Sequence, residues 1–285
     1  MFLTKYSASG NDFLITTAFK RANRANLARK LCNRHNGVGA DGFVVLLPHA
    51  KFAYQWEFYN ADGSRANMCG NASRCVAHYA FTQKLAPKNH SFLSGAGEIK
   101  VRVAGSEVEV NLGEVKILRE NIAESLANNP SLRDSTHCVE SWQSTNQKWI
   151  ASQASLPRND ECEFNFTLLD SGVPHLVAFV RDLGIFKDSQ NLLRHLREKY
   201  NANVNLATIC REGEIALLTY ERGVENITLA CGTGMCAVYY LAKSQNLVSD
   251  KATLIPPSGD KIALRLENNE VCFKGKVQKI ADFIV

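Results

Sequence analysis

Long apolar runs are missing from this sequence. "FVVLL" (43–47) is among the longest, far short of the roughly 20 apolar residues that a membrane-spanning helix needs. The opening "MFLTKYSASGNDFLITTAFKR" has no apolar core long enough for a signal peptide, so a membrane partner is not expected and the cytoplasm is. A strong charge of one sign is missing too: the formal net charge is +5. The densest basic run, "KRANRANLARK" (20–30), lacks the aromatics that a nucleic-acid groove interleaves and reads instead as the wet face of a helix. Nucleic acid is therefore not an expected partner. The nine cysteines are odd in number and form no framework, which excludes a disulfide scaffold and suits a reducing compartment. Cys32, Cys138, Cys162, Cys210 and Cys272 read as small core residues. No G-x-S-x-G elbow, H-E-x-x-H pair or P-loop occurs, and no lysine sits in a Schiff-base setting. What remains is ample core material: 285 residues, 45% hydrophobic and 21% charged, enough for two domains.

Period-two patterns predict strands at "FAYQWEFYN" (52–60), with Phe52, Tyr54, Trp56 and Phe58 on one face, and at "SEVEVNL" (106–112), with Val108, Val110 and Leu112 inward. Helical patterns fall at about 22–34, 71–84, 189–199 and 233–245. The chain also says the same thing twice. The Ser-Gly pairs of "SASGNDFLI" (7–15) and "LDSGVPHLV" (169–177) lie 162 residues apart. "FYNADG" (58–63) and "TYERGV" (219–224) put Asn60 and Glu221 161 apart, and "MCGN" and "ACGT" put Cys69 and Cys231 162 apart. Three signals at nearly one offset predict an α/β (α+β) fold of two pseudo-symmetric domains from an internal duplication. Each carries the order strand, helix, strands, thiol loop, helix. The Asn-, Ser-, Glu- and Gln-rich segment 118–163 reads as a connection with peripheral structure.

"GVGADG" (37–42) fits the glycine pattern of dinucleotide binding, but a helix precedes it and a strand follows, the reverse of what that site needs. It reads as a turn. A zinc site from Cys69, Cys75, Cys231 and Cys236 lacks the close pairing of structural zinc ligands, and no metal is expected. The thiol loops carry more chemistry. The mouth of a helix offers unpaired N–H groups and a positive dipole end, which favour a thiolate and pull its pKa down from about 8.5. The glycine after each cysteine lets a carboxylate approach the backbone donors, and Asn71 and Thr233 stand ready to add side-chain contacts. Two such loops, related by duplication and facing one carbon, can remove a proton from one face and return one to the other. The helix ends would stabilise the carbanionic intermediate. These features imply an amino-acid racemase or epimerase that works without pyridoxal phosphate or other cofactor. A dithiol redox or metal-binding regulator is the alternative of a different class.

"SASGNDF", "NADGSRANMCGNASRC", "GVPH", "ERGV" and "LACGTGMCA" together resemble, in order, the signatures of the diaminopimelate epimerase family. The resemblance implies interconversion of LL- and meso-diaminopimelate for lysine and peptidoglycan synthesis. It also implies two domains, each a barrel-like sheet around a central helix, with the active site in the cleft between them. Residues 1–117 would form the first, with the C-terminal strand 274–285 returning to it, and 118–273 the second. By the same resemblance Cys69 and Cys231 are the acid/base pair. Asn11, Asn60, Gly70, Asn71, Asn205, Glu221, Arg222, Gly232 and Thr233 hold the substrate, and His175 and Glu221 tune the thiols. The chemistry agrees, since Arg222 can grip a carboxylate bidentately and Glu221 can pair with an ammonium. Outside this context Asn11 and Asn60 would read as turn residues, Arg222 as a surface ion pair and His175 as a satisfied core histidine. Two positions depart. Val173 stands where many members have Asn, and Gly42 where some have Gln; both would touch the distal end of the substrate. The motifs thus specify the reaction more closely than the substrate, and a racemase of proline, hydroxyproline or histidine is the nearer alternative. The expected partners are a small amino-acid substrate and, at most, a second copy of the chain in a homodimer.

Overall fold

The computed structural model describes residues 1–125, 163–181, 183–184 and 190–285. The chain divides into two compact units, Met1–Leu112 with Cys272–Val285, and Gly113–Val271. In chain order the elements begin with β1 (Phe2–Ala8), β2 (Asn11–Thr17), α1 (Ala25–Cys32), β3 (Gly42–Leu47), β4 (Gln55–Asn60), α2 (Gly70–Thr82), β5 (Asn89–Ser94), β6 (Gly97–Ala104) and β7 (Glu107–Glu114). Then come β8 (Lys116–Ser125), β9 (Glu163–Asp170), β10 (Pro174–Phe179), α3 (Gln190–Tyr200), β11 (Asn203–Arg211), β12 (Glu214–Glu221) and the short β13 (Asn226–Ile227). The chain closes with α4 (Gly232–Ser244), β14 (Lys251–Ile255), β15 (Ile262–Glu267), β16 (Glu270–Lys276) and β17 (Gln278–Ile284).

The strand pairings repeat. In the first unit β17 is antiparallel to β1 and β1 to β2; β2 is parallel to β3, β3 antiparallel to β4, β4 parallel to β5 and β5 antiparallel to β6. The second unit runs through β8, β9, β10, β11, β12, β14 and β15 with the same alternation. So β8 stands beside β9 as β17 stands beside β1, and each half of the sequence gives a strand to the other half's unit. A shared order of parallel and antiparallel neighbours is what duplication of one mixed-sheet unit leaves behind.

The four helices among the described residues are of two kinds. α1 and α3 are amphipathic. α1 buries Ala28, Leu31 and Cys32 while exposing Arg29 and Lys30, and α3 buries Leu192, Leu193 and Leu196. Each therefore covers one face of its sheet. α2 and α4 are buried nearly all round, from Gly70 to Ala80 and from Gly232 to Ala242. α2 packs on β1, β2 and β6, and α4 on β9, β10, β11 and β14. These are the central helices, and each begins at one of the thiol loops.

Several expectations need correction. The strand in "FAYQWEFYN" starts only at Gln55, and Phe52 lies in the bend before it. Its residues Trp56 to Tyr59 are all buried, because both faces are covered. Tyr54, Trp56 and Phe58 join the core around α2, and Tyr59 joins the one under α1. Between them the buried Glu57 is held by Arg24. The start of segment 118–163 is not peripheral, since β8 reaches Ser125 and pairs with β9, with register shifts between Ile117 and Arg119 and between Arg119 and Ile122. Cys32 and Cys272 are buried as expected, but Cys210 is exposed. It sits where the β11–β12 register slips between Ile209 and Arg211, and such a bulge re-aims its side chain outward. Cys138 and Cys162 lie outside the described residues. "GVGADG" is the turn between α1 and β3.

Candidate active site

Both cysteines of the repeat are helix N-caps. Cys69 has φ −150° and ψ 125°, and Cys231 has φ −120° and ψ 111°, extended backbone that turns into α2 and α4. The first intrahelical bonds run from Ser73 N–H to Cys69 O (2.9 Å) and from Met235 N–H to Cys231 O (3.0 Å). Neither side chain caps its own helix. The opening turns, with Gly70 and Asn71 in one and Gly232 and Thr233 in the other, hold the first N–H groups of each helix and its positive end. Cys75, one turn inside α2, is a different thiol. It is wholly buried, and burial pushes its pKa far up. Cys32 under α1 is pushed up to about 12 for the same reason.

In the first unit the polar side chains around Asn71 form a directed chain. The buried Arg74 donates to Asn71 Oδ1 (2.6 Å), to Ser9 Oγ (2.8 Å) and to Lys276 O (3.3 Å). Its guanidinium lies 4.7 Å from the Phe273 ring, near enough for a cation–π contact. Because arginine can only donate, Asn71 must present its oxygen to Arg74 and its amide nitrogen to Asn11 Oδ1 (2.8 Å). Asn11 in turn donates to Asp41 Oδ2 (3.2 Å). Arg34 bridges Asp41 (2.7 Å) and Asp12 (2.8 Å), and Lys5 adds a second cation on Asp12 (2.9 Å). Hydrogen bonds from Arg34 and Lys5 outweigh burial and hold the Asp12 carboxyl below its usual range. Asn11 and Asn71 each keep an amide hydrogen for an acceptor such as a carboxylate. Asn60 is exposed at the end of β4, where it bonds Ser64 Oγ (3.0 Å) and shapes the turn to the thiol loop. A Cβ at Gly42 would come within 2.6 Å of Phe58 Cε2 and 3.2 Å of Phe13 Cδ1. The space a longer side chain would need there is filled by aromatic rings.

The second unit surrounds Cys231 differently. Thr233 Oγ1 lies 3.5 Å from Cys231 Sγ and 3.0 Å from His175 Nε2, and its carbonyl accepts from Ser171 Oγ (2.9 Å). His175 is fully buried, and burial lowers its pKa to about 3, so the ring is neutral. Its Nδ1 meets Asn205 Nδ2 at 2.9 Å, and Asn205 Oδ1 accepts from Thr219 Oγ1 at 2.9 Å. Asn205 is thus fully engaged inside the protein. Glu221, at the end of β12, has its carboxyl pKa raised by burial, with the nearby Thr228 hydroxyl pulling the other way. Arg222 holds its backbone N–H on Asn203 Oδ1 (2.8 Å) and its guanidinium on Asn201 O (2.9 Å). Val173 is half-buried in the turn between β9 and β10, where its carbonyl accepts from Ser171 N–H (3.2 Å).

Reading the sequence alone misses Arg74, Asp41, Ser9, Ser171, Asn203 and Thr219. One signal was present: Arg74 is the one Lys, Arg, Asp or Glu within α2, three residues after Asn71 and on the same helix face. The other residues lie on separate strands and loops, joined to the site only by folding.

The comparisons with known proteins follow the same two halves. A family profile described as diaminopimelate epimerase matches residues 3–118 and 167–280. A diaminopimelate epimerase of Nitratiruptor sp. is 43% identical over 280 residues, 98% of this chain and 96% of that protein. One from Helicobacter pylori is 45% identical over 282 residues, 98% of this chain and 95% of that protein. Among solved structures, a hydroxyproline epimerase from Agrobacterium vitis superposes with a TM-score of 0.67 at 14% identity, over 99% of this chain and 91% of that one. A probable proline racemase from Agrobacterium radiobacter does so with 0.66 at 13%, over 100% and 92%. At such identities these structures show a common α+β fold of mixed sheet and few helices. Kinship at more than two-fifths identity over nearly the full length is closer than a shared fold, and by it this chain belongs to the diaminopimelate epimerase family.

Proposed function

We propose that this isomerase interconverts LL- and meso-diaminopimelate, with Cys69 and Cys231 as its acid and base. The observation that carries the reading is the matched placement of the two cysteines. Each caps the buried central helix of its unit, 162 residues apart, and is followed by glycine. In the reaction one cysteine, as thiolate, takes the α-proton. The electron pair of the C–H bond is left on the α-carbon and its carboxylate, and the helix N-termini stabilise that charge. The other cysteine, as thiol, delivers its proton to the opposite face, and the configuration inverts. The pair ends with its protonation states exchanged, ready for the reverse direction. Asn11 and Asn71 suit a carboxylate, because their remaining amide hydrogens donate. Arg222 and Glu221 suit the distal carboxylate and ammonium. With Gly42 and Val173 in this chain, neither position supplies a polar side chain to that end. No helix among the described residues is long and apolar enough to cross a membrane, and we place the enzyme in the cytoplasm, where its cysteines stay reduced.

The test is a comparison of kcat/KM for LL-diaminopimelate with alanine, proline, lysine and histidine. A site built to hydrogen-bond a distal zwitterion rejects analogues without one, since its polar groups are left unpaired. LL-diaminopimelate should win by at least about 10³-fold, and Arg222→Lys should raise KM and lower kcat for it together, because a point charge does not replace the planar fork. A monocarboxylic amino acid turning over faster would replace this reading with that of a racemase.

A further inference from the structure

The cores beneath the two thiol loops are built from the same positions with opposite chemistry. Strand registers match them: Phe13 pairs with Gly42 as His175 pairs with Asn203, and Val44 pairs with Phe58 as Asn205 pairs with Thr219. In the first unit Phe13, Val44 and Phe58 are plain core, with the two rings edge to face at 6.0 Å. In the second unit the same places hold His175, Asn205 and Thr219, all buried. Burying three polar side chains where an apolar set serves equally well is costly unless every bond is made. Here they are made, and they run in one direction.

That direction is fixed by groups with a single role. Asn205 Nδ2 also faces the carbonyl of Leu176 at 3.3 Å, and a carbonyl only accepts, so the amide nitrogen lies on that side. The nitrogen therefore donates to His175 Nδ1. A neutral imidazole that accepts at Nδ1 carries its proton on Nε2. Asn203 Nδ2 also approaches Nε2, at 3.4 Å, but it has Pro174 O at 3.3 Å as acceptor, while its oxygen takes the Arg222 N–H. The 2.9 Å bond at Nδ1 decides the tautomer. His175 Nε2–H then donates to Thr233 Oγ1, and the hydroxyl hydrogen of Thr233 is left for the sulfur of Cys231, 3.5 Å away.

We propose that Asn205 is a positioning residue for Cys231: its amide, with the nitrogen held by the Leu176 carbonyl and the oxygen by Thr219, keeps His175 in the Nε2–H tautomer and turns the Thr233 hydroxyl toward the sulfur, favouring the thiolate. At the matched places of the first unit stand Phe13, Val44 and Phe58. In Asn205→Asp an acceptor would face Nδ1 in place of the amide N–H, so His175 would carry its proton there, and Thr233 would donate to the bare Nε2 instead of to sulfur. The proposal rests on Cys231 working as an acid/base thiol, but its tests do not require turnover.

The experiment uses the full-length enzyme without substrate. Nitrogen-15 correlation spectra of labelled histidine read the His175 tautomer, and timed alkylation with iodoacetamide followed by peptide mapping reads the thiolate at Cys231, with Cys69 in the same sample as control. The wild type should show protonated Nε2 and bare Nδ1. Asn205→Asp should shift the proton toward Nδ1 and slow alkylation of Cys231 about tenfold, as a rise of roughly one pKa unit would. Cys69 should be unchanged, and Thr219→Ser, which keeps the hydroxyl on Asn205, should leave both signals as in the wild type. Protonated Nδ1 in the wild type would overturn the proposal, and that measurement needs no variant to fold. So would an Asn205→Asp protein in which Nδ1 stays bare, in which Cys231 reacts as before, or in which both cysteines slow alike. If the proposed function fails instead, the wild type will not turn over diaminopimelate while these signals stand.

Discussion

Replacing Gly234 with alanine sets two effects of known size against each other. Gly234 lies in the first turn of α4, and an alanine in a helix is normally better than glycine by about 1 kcal/mol. At an open site Gly234→Ala would therefore stabilise. This site is closed. A Cβ there would sit 2.5 Å from Asn205 Oδ1, 3.0 Å from Thr219 Oγ1 and 3.4 Å from Cys231 Cβ. The nearest atom is no flexible tip: Asn205 is buried, and its oxygen is held by Thr219 while its nitrogen is held by His175 and Leu176. Moving it breaks at least one buried hydrogen bond, at about 1–3 kcal/mol, and adds overpacking of about 1–3 kcal/mol. The penalty outweighs the helix gain, and a net loss of about 1–5 kcal/mol follows. The matched position in α2, Ala72, already carries the methyl and is fully buried. There Phe13, Val44 and Phe58 take the place of the relay. Urea midpoints of wild type, Gly234→Ala and Ala72→Gly should show both variants destabilised, and Gly234→Ala should also slow alkylation of Cys231. A Gly234→Ala protein about 1 kcal/mol more stable than wild type, with Cys231 unaltered, would refute the reasoning.

His175 makes stability depend on pH with a definite sign. Burial lowers its pKa in the folded protein to about 3, below the ordinary histidine value of 6.5. The stabilisation is complete above pH 6.5 and is lost as pH falls toward 3, by about 2 kcal/mol at pH 5. Urea titrations at pH 7 and 5 should show this slope in wild type and a shallower one in His175→Asn; equal slopes would contradict it. Gly42→Gln, which introduces the residue some relatives carry, should cost about 2 kcal/mol because Phe58 and Phe13 occupy its Cβ direction. An unchanged melting temperature would show that the rings move aside. Arg74→Lys should lower stability by about 2–4 kcal/mol, since an ammonium cannot reach Ser9, Asn71 and Lys276 with one planar fork. Calorimetry checks it, and a loss under about 0.5 kcal/mol would mean that the guanidinium is replaceable.

The sequence announced what local chemistry controls. The cysteine-glycine pairs mark where α2 and α4 begin, and the constant offset marks the duplication that the strand pairings repeat. The amphipathic α1 and α3 were legible from their apolar spacing. What depends on packing from both sides was not. Alternation in 52–60 suggested one buried face, yet Glu57 and Tyr59 are buried on the other by α1 and its Arg24 neighbour. Cys210 read as core because cysteine usually is, and only the strand bulge turns it out. Around the thiols, single residues were visible but not their company. Thr219 and Asn205 are 14 residues apart on adjacent strands, and no spacing rule brings them to one histidine. The register does.

The central claim is that two cysteines exchange one α-proton. It is tested most directly by incubating LL-diaminopimelate in deuterated water with wild type, Cys69→Ala and Cys231→Ala, reading deuterium at the α-carbon and the meso isomer formed. The wild type should give meso product labelled at the inverted centre. Each alanine variant should lose roughly 10²–10⁴-fold or more in epimerisation, the share of rate that a positioned acid or base supplies, while Cys75→Ala and Cys236→Ala keep most of theirs. Wild-type product without deuterium, or near-normal epimerisation by either Cys69→Ala or Cys231→Ala, would contradict the account.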